Sequence, residues 1–178
     1  MRDARANELD RVAALWTAIT EHHAALDPFF TQRRDARAER ELRALLAALH
    51  RDPDARILVY ERAAIAGGAA AARDAVGGDA PPAAGRAIDL PGLCIVRVDR
   101  APPILQETER GEITDVGVRE DARRQGIARA LVDAALDWLR ERGVARVEIQ
   151  VAVGNREGQA FWRAMGFGDL MDVLHKRI

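Results

Sequence analysis

Leu9, Val12, Ala13, Leu15, Trp16 and Ile19 recur three and four apart, the spacing of a single helix face, and predict a first helix from Asn7 or Asp10 to about Ala25, closed by Asp27-Pro28. Leu42, Leu45, Leu46 and Leu49 repeat the pattern and predict a second helix over residues 35–50, stopped near Asp52-Pro53. The period then shortens to two. Residues 56–61 and 65–73 are expected as a hairpin, although Ala63-Ala64 between them lacks the Asn-Gly or Asp-Gly chemistry of a tight turn. Residues 76–92 are rich in Gly, Pro and Ala and are expected as a long loop, followed by a strand over residues 94–98 that Ala101-Pro102-Pro103 ends.

The most organised stretch runs over residues 111–143. Ile113, Val116 and Val118 mark a strand over residues 112–118, with Gly117 inside it where a side chain would obstruct another backbone. A charged turn, Arg123-Arg124-Gln125-Gly126, leads into a helix. Ile127, Leu131, Ala135 and Trp138 share one face of it, Ala128, Val132 and Leu139 widen that face, and Asp133, Asp137 and Arg140 lie opposite. Residues 145–153 alternate as a further strand, and strand–helix–strand order implies a right-handed parallel crossover. A helix is expected after Asn155 and a last strand over residues 170–178. The expected fold class is α/β: one domain over residues 1–178, with a mixed central β-sheet and helices on both faces.

A chain of 178 residues suits one domain and buries roughly 70% of its unfolded surface. Twenty-seven basic against twenty-eight acidic residues leave a net charge of -1, which argues against nucleic acid or an anionic membrane as the main partner. Cys94 is the sole cysteine, so no internal disulfide or thiolate cluster forms, and the N-terminal region lacks the apolar run of a signal peptide; a cytoplasmic location is expected. His22 and His23 are adjacent, about 100° apart on a helix, and cannot pair on one face around an ion, so no metal is expected.

The chemistry begins at the turn. A helix start has N–H groups without intrahelical partners and the positive end of the macrodipole, which together favour a phosphate. Gly126 permits close approach, Arg123 and Arg124 add charge, and Ala128 keeps the first turn uncrowded. The pattern Arg123-x-x-Gly126-x-Ala128 resembles the R/Q-x-x-G-x-G/A signature of the GNAT superfamily of N-acetyltransferases. The later run from Asn155 through Phe161, Trp162 and Gly166 to Phe167 resembles the same superfamily's N-x-x-A-x-x-F-Y-x-x-x-G-F motif. The resemblance covers residues 111–167; before that it extends to layout alone.

That resemblance implies acetyl-CoA as co-substrate, with Arg123, Arg124, Gln125, Gly126, Ile127 and Ala128 around its pyrophosphate. It implies that the strands over residues 112–118 and 147–153 splay, and that the pantetheine arm lies between them on the backbone of Val116 and Val118, past Gly117, an N–H near Val116 polarising the thioester carbonyl. Asn155 would contact the pantetheine or an ordered water. The helices over about residues 7–50 would overhang the acceptor end, with His22, His23, Asp27, Phe29 and Phe30 as candidate lining, and a homodimer is the expected assembly. Trp162 stands where the superfamily usually carries a tyrosine that protonates the departing thiolate; an indole N–H donates a hydrogen bond but is no general acid, while a thiol of pKa ~8.5 leaves readily unaided.

An acceptor amine of pKa ~10.4 is mostly protonated at neutral pH, so a general base is expected. Glu112 is preferred, and Asp115 is the alternative, on the opposite strand face by simple alternation. Small amines, amino acids, antibiotics, polyamines and protein N-termini all remain open as acceptors. A non-catalytic acyl-CoA sensor would keep the 123–128 turn and lack the base. Neither G-x-x-x-x-G-K-[ST] nor a strand-linked G-x-G-x-x-G occurs, which argues against a nucleotide enzyme.

Overall fold

Side-chain alternation along one long central strand divides the core in two. The structure, a computed structural model, describes residues 1–63 and 88–176. In chain order the elements are β1 (Arg2–Asp3), α1 (Leu9–Thr20), α2 (Ala36–Arg51), β2 (Ala55–Ala63), β3 (Ile88–Arg100), β4 (Glu109–Val118), α3 (Ile127–Glu141), β5 (Val147–Glu148) and α4 (Arg156–Ala164). The five strands form one sheet in the order β1-β2-β3-β4-β5, antiparallel except for the parallel β4–β5 pair. From β3, Cys94, Val96 and Val98 join a core with α3 and α4, while Leu93 and Ile95 join a second core with α1 and α2. The mixed sheet thus carries helices on both faces.

Local sequence explains the helix limits. Asp35 caps α2 by accepting from the Ala38 N–H at 2.8 Å. Gly143, at φ 76°, follows the C-terminus of α3 in the left-handed region. The first helix ends at Thr20, and residues 21–25 continue as a 3-10 turn, an earlier close to the regular helix than the periodicity predicts. Leu131, Val132, Ala135 and Leu139 of α3 are fully buried, and burying each leucine is worth about 1.5–3 kcal/mol.

Several expected elements differ. The hairpin partner placed at residues 65–73 lies outside the described residues; among the described ones, β2 pairs with β1 and β3. Residues 88–92, expected as loop, belong to β3. Its Pro91 fits there because the β2–β3 register shifts between Tyr60 and Arg62, leaving Leu90 and Pro91 opposite the lone Glu61. The strand expected over residues 145–153 shrinks to Val147–Glu148, because the ladder with β4 stops there. Residues 170–176 form no strand: Leu170, Met171, Val173 and Leu174 are apolar but stay exposed, and no strand pairs with them among the described residues. Among the described residues, no helix is long and apolar enough to cross a membrane.

Candidate cofactor and acceptor site

β4 and β5 separate after two residue pairs, Gly111 with Val147 and Glu112 with Glu148. From Ile113 to Val118, β4 therefore has a strand neighbour only on its β3 side among the described residues. The Arg119 N–H donates to the Pro91 carbonyl of β3 at 2.8 Å. By alternation Gly117 also faces β3, and the N–H groups of Val116 and Val118 face the opening. Val118 is buried and Val116 half-buried against the α3 core.

A β-bulge resets the side chains of this strand. Ile95 opposes Asp115 but Val96 opposes Ile113, so Thr114 is the extra residue. Ile113, Val116 and Val118 all reach the α3 core, whereas an unbroken strand would have turned Ile113 and Val116 to opposite faces. The expectation that Glu112 and Asp115 lie on opposite faces is thereby overturned. Both belong to the α1 face, because three steps along the strand include the unpaired Thr114.

The two carboxylates differ in their partners. Glu112 is engaged by its register neighbour Arg97, whose Nε and Nη2 lie 2.8 Å and 2.6 Å from Oε2. Asp115 is half-buried beneath α1, where its Oδ1 accepts the Trp16 indole Nε1–H at 2.7 Å. Trp16 was legible as a core position of the first helix and not as a site residue; the signal available was that an indole N–H near a core requires an acceptor. Gly117 has a different reason from the one expected. A Cβ there would stand 2.3 Å from Cδ1 of Ile19, so the glycine admits α1.

After Val118 the chain makes a 3-10 turn, Glu120–Ala122, pinned by the fully buried Ala122, and enters α3 through two positive-φ residues, Arg124 (φ 60°) and Gly126 (φ 79°). Arg123 turns its Nε toward the Val118 carbonyl at 3.4 Å. Gln125 donates to the Asp121 carbonyl at 3.5 Å. Gly126 is the N-cap and has no side chain with which to cap the first N–H groups, while Ile127 is buried and Ala128 packs half-buried against the core. A Cβ on Gly126 would meet no atom within 4 Å, so the space over the helix start is open. Donors, dipole and open space fit an anionic group there.

Asn155 caps α4, its Oδ1 accepting from the Gly158 N–H at 2.9 Å. Trp162 is buried and stands edge-on to Phe161 at 5.1 Å and to Phe167 at 5.0 Å. A Cβ on Gly154 would stand 3.8 Å from the Leu26 carbonyl oxygen, so the segment after α1 reaches the turn before α4. That segment carries His23, Phe30 and the exposed Phe29 in ring contact, on a turn capped by Asp27. Cys94 is fully buried, and burial, helped by the Asp115 charge, pushes its thiol up to about 12; it stays protonated and is no nucleophile. Among the described residues, no group of three or more His, Cys, Asp or Glu side chains is placed to hold a metal ion.

The sequence pattern of the acetyltransferase (GNAT) family matches residues 16–167. A mycothiol acetyltransferase from Beutenbergia cavernae is 47% identical over 57 residues, 32% of this chain and 19% of that protein. The ribosomal protein bS18-alanine N-acetyltransferase of Escherichia coli K12 is 31% identical over 61 residues, 34% of this chain and 41% of that protein. The matched region therefore spans less than half the length of these relatives. Among solved structures, a predicted acetyltransferase with acetyl-CoA from Clostridium acetobutylicum superposes with a TM-score of 0.65 at 12% identity, covering 99% of this chain and 94% of that one. With the family pattern running from Trp16, the donor to Asp115, through both motifs to Phe167, the chain belongs to the acetyltransferase (GNAT) family.

Proposed function

We propose that the protein transfers the acetyl group of acetyl-CoA directly to an amine acceptor. The observation that carries this reading is the junction of an open β4 edge, with the N–H groups of Val116 and Val118 facing the gap, and an uncapped helix start at Gly126. An extended pantetheine arm adds to a strand edge through main-chain hydrogen bonds, and a pyrophosphate suits the N-terminus of α3. Arg123 and Arg124 supply positive charge beside it. The bound thioester supplies an activated acetyl carbon with a thiolate leaving group.

Within that frame the chain's own groups divide the work. In this reading the Val116 N–H polarises the thioester carbonyl, which develops negative charge as the amine attacks. A carboxylate on the α1 face takes one proton from the ammonium to give the attacking amine; the C–N bond forms as the C–S bond breaks, CoA departs as thiolate, and the second proton of the reacting nitrogen passes to solvent. Two observations favour Asp115 over Glu112 for that carboxylate. Asp115 lies beyond the last β5 pair, within the opening, whereas Glu112 lies where β5 is still attached and is bound to Arg97. Trp162, within its aromatic cluster, serves as an apolar wall, and Asn155 holds the start of α4. The acceptor enters from the α1 side, past His23, Phe29 and Phe30.

The same reading includes a homodimer, supported by the exposed apolar residues Leu170, Met171, Val173 and Leu174, and sedimentation measures it directly. The decisive experiment for the function is acetyl-CoA-dependent thiol release with a panel of amines: a peptide with N-terminal alanine, an aminoglycoside, a polyamine and free amino acids. Release with one class supports transfer. Acetyl-CoA binding with no release across the panel supports a sensor, and no binding removes the reading.

A further inference from the structure

Four charged side chains interlock where β2, β3 and the turn after β4 meet. Arg119 places Nη1 and Nη2 at 2.9 Å and 3.0 Å from the two carboxylate oxygens of Asp89, and also holds Asp121 through Nε at 2.6 Å and Nη2 at 2.9 Å. Arg62 bonds Asp89 at 2.7 Å and lies 3.5 Å from Asp121. Each carboxylate thus faces both guanidiniums. Asp121 sits within the 3-10 turn that leads to Arg123 and Gly126, and its carbonyl accepts from Gln125. A free carboxylate there would oppose an anion at the start of α3, yet nothing on α3 itself neutralises it.

We propose that Arg119 is a positioning residue for the anion-binding turn: it neutralises Asp121 and ties the turn to β3, so that residues 123–128 present net positive charge to the CoA pyrophosphate. The Arg119–Asp121 pair suits that task better than it suits stability. Arg119 is 39% exposed at its side chain and Asp121 56%, and ion pairs at such exposure contribute little to folding. Their effect on a neighbouring anion survives partial exposure, because it acts at a distance within a Debye length of ~10 Å at 0.1 M salt. Both Asp89 and Asp121 are held below the usual carboxylate range, with the Arg119 hydrogen bonds prominent among the causes, so both remain charged across neutral pH. The backbone bond from the Arg119 N–H to Pro91 fixes the same residue to β3 independently of its side chain.

This inference rests on the proposed acetyl-CoA site, and the test separates the two. Calorimetry first measures acetyl-CoA binding to the wild-type protein; absence of binding there overturns the site itself. Given binding, Arg119→Gln is expected to raise the Kd for acetyl-CoA about tenfold at low ionic strength, with the difference shrinking as salt is added. The double variant Arg119→Gln/Asp121→Asn is expected to recover most of the affinity, because the unmasked charge is gone. Asp121→Asn alone, which leaves Arg119 on Asp89, is expected to bind at least as tightly as wild type and serves if Arg119→Gln does not fold. An unchanged Kd in Arg119→Gln, a double variant as weak as the single, or weakened binding in Asp121→Asn would each overturn the proposal.

Discussion

The Trp16 indole N–H donates a 2.7 Å hydrogen bond to Asp115, joining residues 99 positions apart and tying α1 to the strand that borders the open edge. The bond has one geometric condition, the Thr114 bulge, without which Asp115 would turn into the α3 core. It leaves Asp115 its second oxygen for an acceptor amine and fixes the carboxylate's orientation, as a general base requires. Glu112, on the same face, is oriented instead by Arg97.

Asp115→Asn is expected to lower kcat by ~10²-fold, the low end for general-base loss, with the Kd for acetyl-CoA unchanged. Glu112→Gln is expected to lose far less. Trp16→Phe, which removes the donor and keeps an aromatic ring, is expected to lower kcat while leaving acetyl-CoA binding intact. Steady-state kinetics with one good acceptor checks all three, and the reverse ranking of Glu112→Gln and Asp115→Asn would return the base to Glu112.

Gly126 separates backbone strain from ligand binding. At φ 79° a side chain costs roughly 1–2 kcal/mol in conformation alone, and the open space above means that no clash adds to it. Gly126→Ala is expected to be destabilised by that amount. Gly126→Glu adds a negative charge over the helix start and is expected to abolish the stabilisation by acetyl-CoA, about 2.7 kcal/mol at a hundredfold excess over Kd in the wild type. Thermal unfolding with and without acetyl-CoA measures both; a retained ligand shift in Gly126→Glu would dismiss the helix start as the pyrophosphate site.

Gly117 is expected to tolerate no side chain without loss of stability. An added methyl at 2.3 Å from Ile19 Cδ1 forces that side chain or α1 to move, at a cost of about 1–3 kcal/mol. The double variant Gly117→Ala/Ile19→Val, which shortens the opposing side chain, is expected to recover part of it. Urea unfolding of the two variants decides whether the glycine serves helix packing.

The legible parts of this fold are those specified by local periodicity. The α1, α2 and α3 faces, the 123–128 turn and the Asn155 cap follow from spacing and residue type within single segments. What escaped was set by pairing between segments. The Thr114 bulge exists because β4 must fit β3, and its sequence looks like ordinary alternation; that one residue moved Asp115 to the face of Glu112. β5 is shorter than its sequence predicts because Val147, Ile149 and Val151 alternate whether or not a neighbour completes the ladder. Leu170, Met171, Val173 and Leu174 are apolar in type, yet no strand pairs with them among the described residues. The Arg119 network joins residues up to 59 apart and left no periodic trace.

Glu8 should make stability depend on acid. Its side chain is buried, Arg2 holds it through two 2.7 Å hydrogen bonds, and the Arg5 N–H adds a third at 2.9 Å. The hydrogen bonds from Arg2, more than offsetting burial, lower its pKa from 4.5 to about 2. A depressed carboxylate stabilises the fold fully above its unfolded pKa and loses that contribution as pH falls toward the folded one, here between about 4.5 and about 2. Glu8→Gln is therefore expected to cost on the order of 2 kcal/mol at pH 7, with the gap to wild type closing over that window. Denaturant unfolding across pH checks the sign; a gap constant down to pH 2 would mean that packing, not charge, accounts for the loss.

Trp162 stands where the family pattern and this chain part, and its surroundings separate a packing role from a donor role. The indole is 6% exposed and edge-on to both Phe161 and Phe167, so its first contribution is apolar contact. Trp162→Ala is expected to cost about 3–5 kcal/mol of stability through the cavity it leaves, and to raise the KM for acetyl-CoA where the wall is lost. Trp162→Phe keeps most of the ring and is expected to retain most of the turnover, because a thiolate departs without prior protonation. A donor role predicts another order. If the indole N–H were required by the departing sulfur, the Phe variant would fail nearly as badly as Ala, and Trp162→Tyr, which restores an O–H donor, would recover. Kinetics of the three variants, each first shown by thermal unfolding to be folded at the assay temperature, decides between them. A Phe variant slowed about a hundredfold with normal acetyl-CoA binding would overturn the wall and assign the indole to the leaving group.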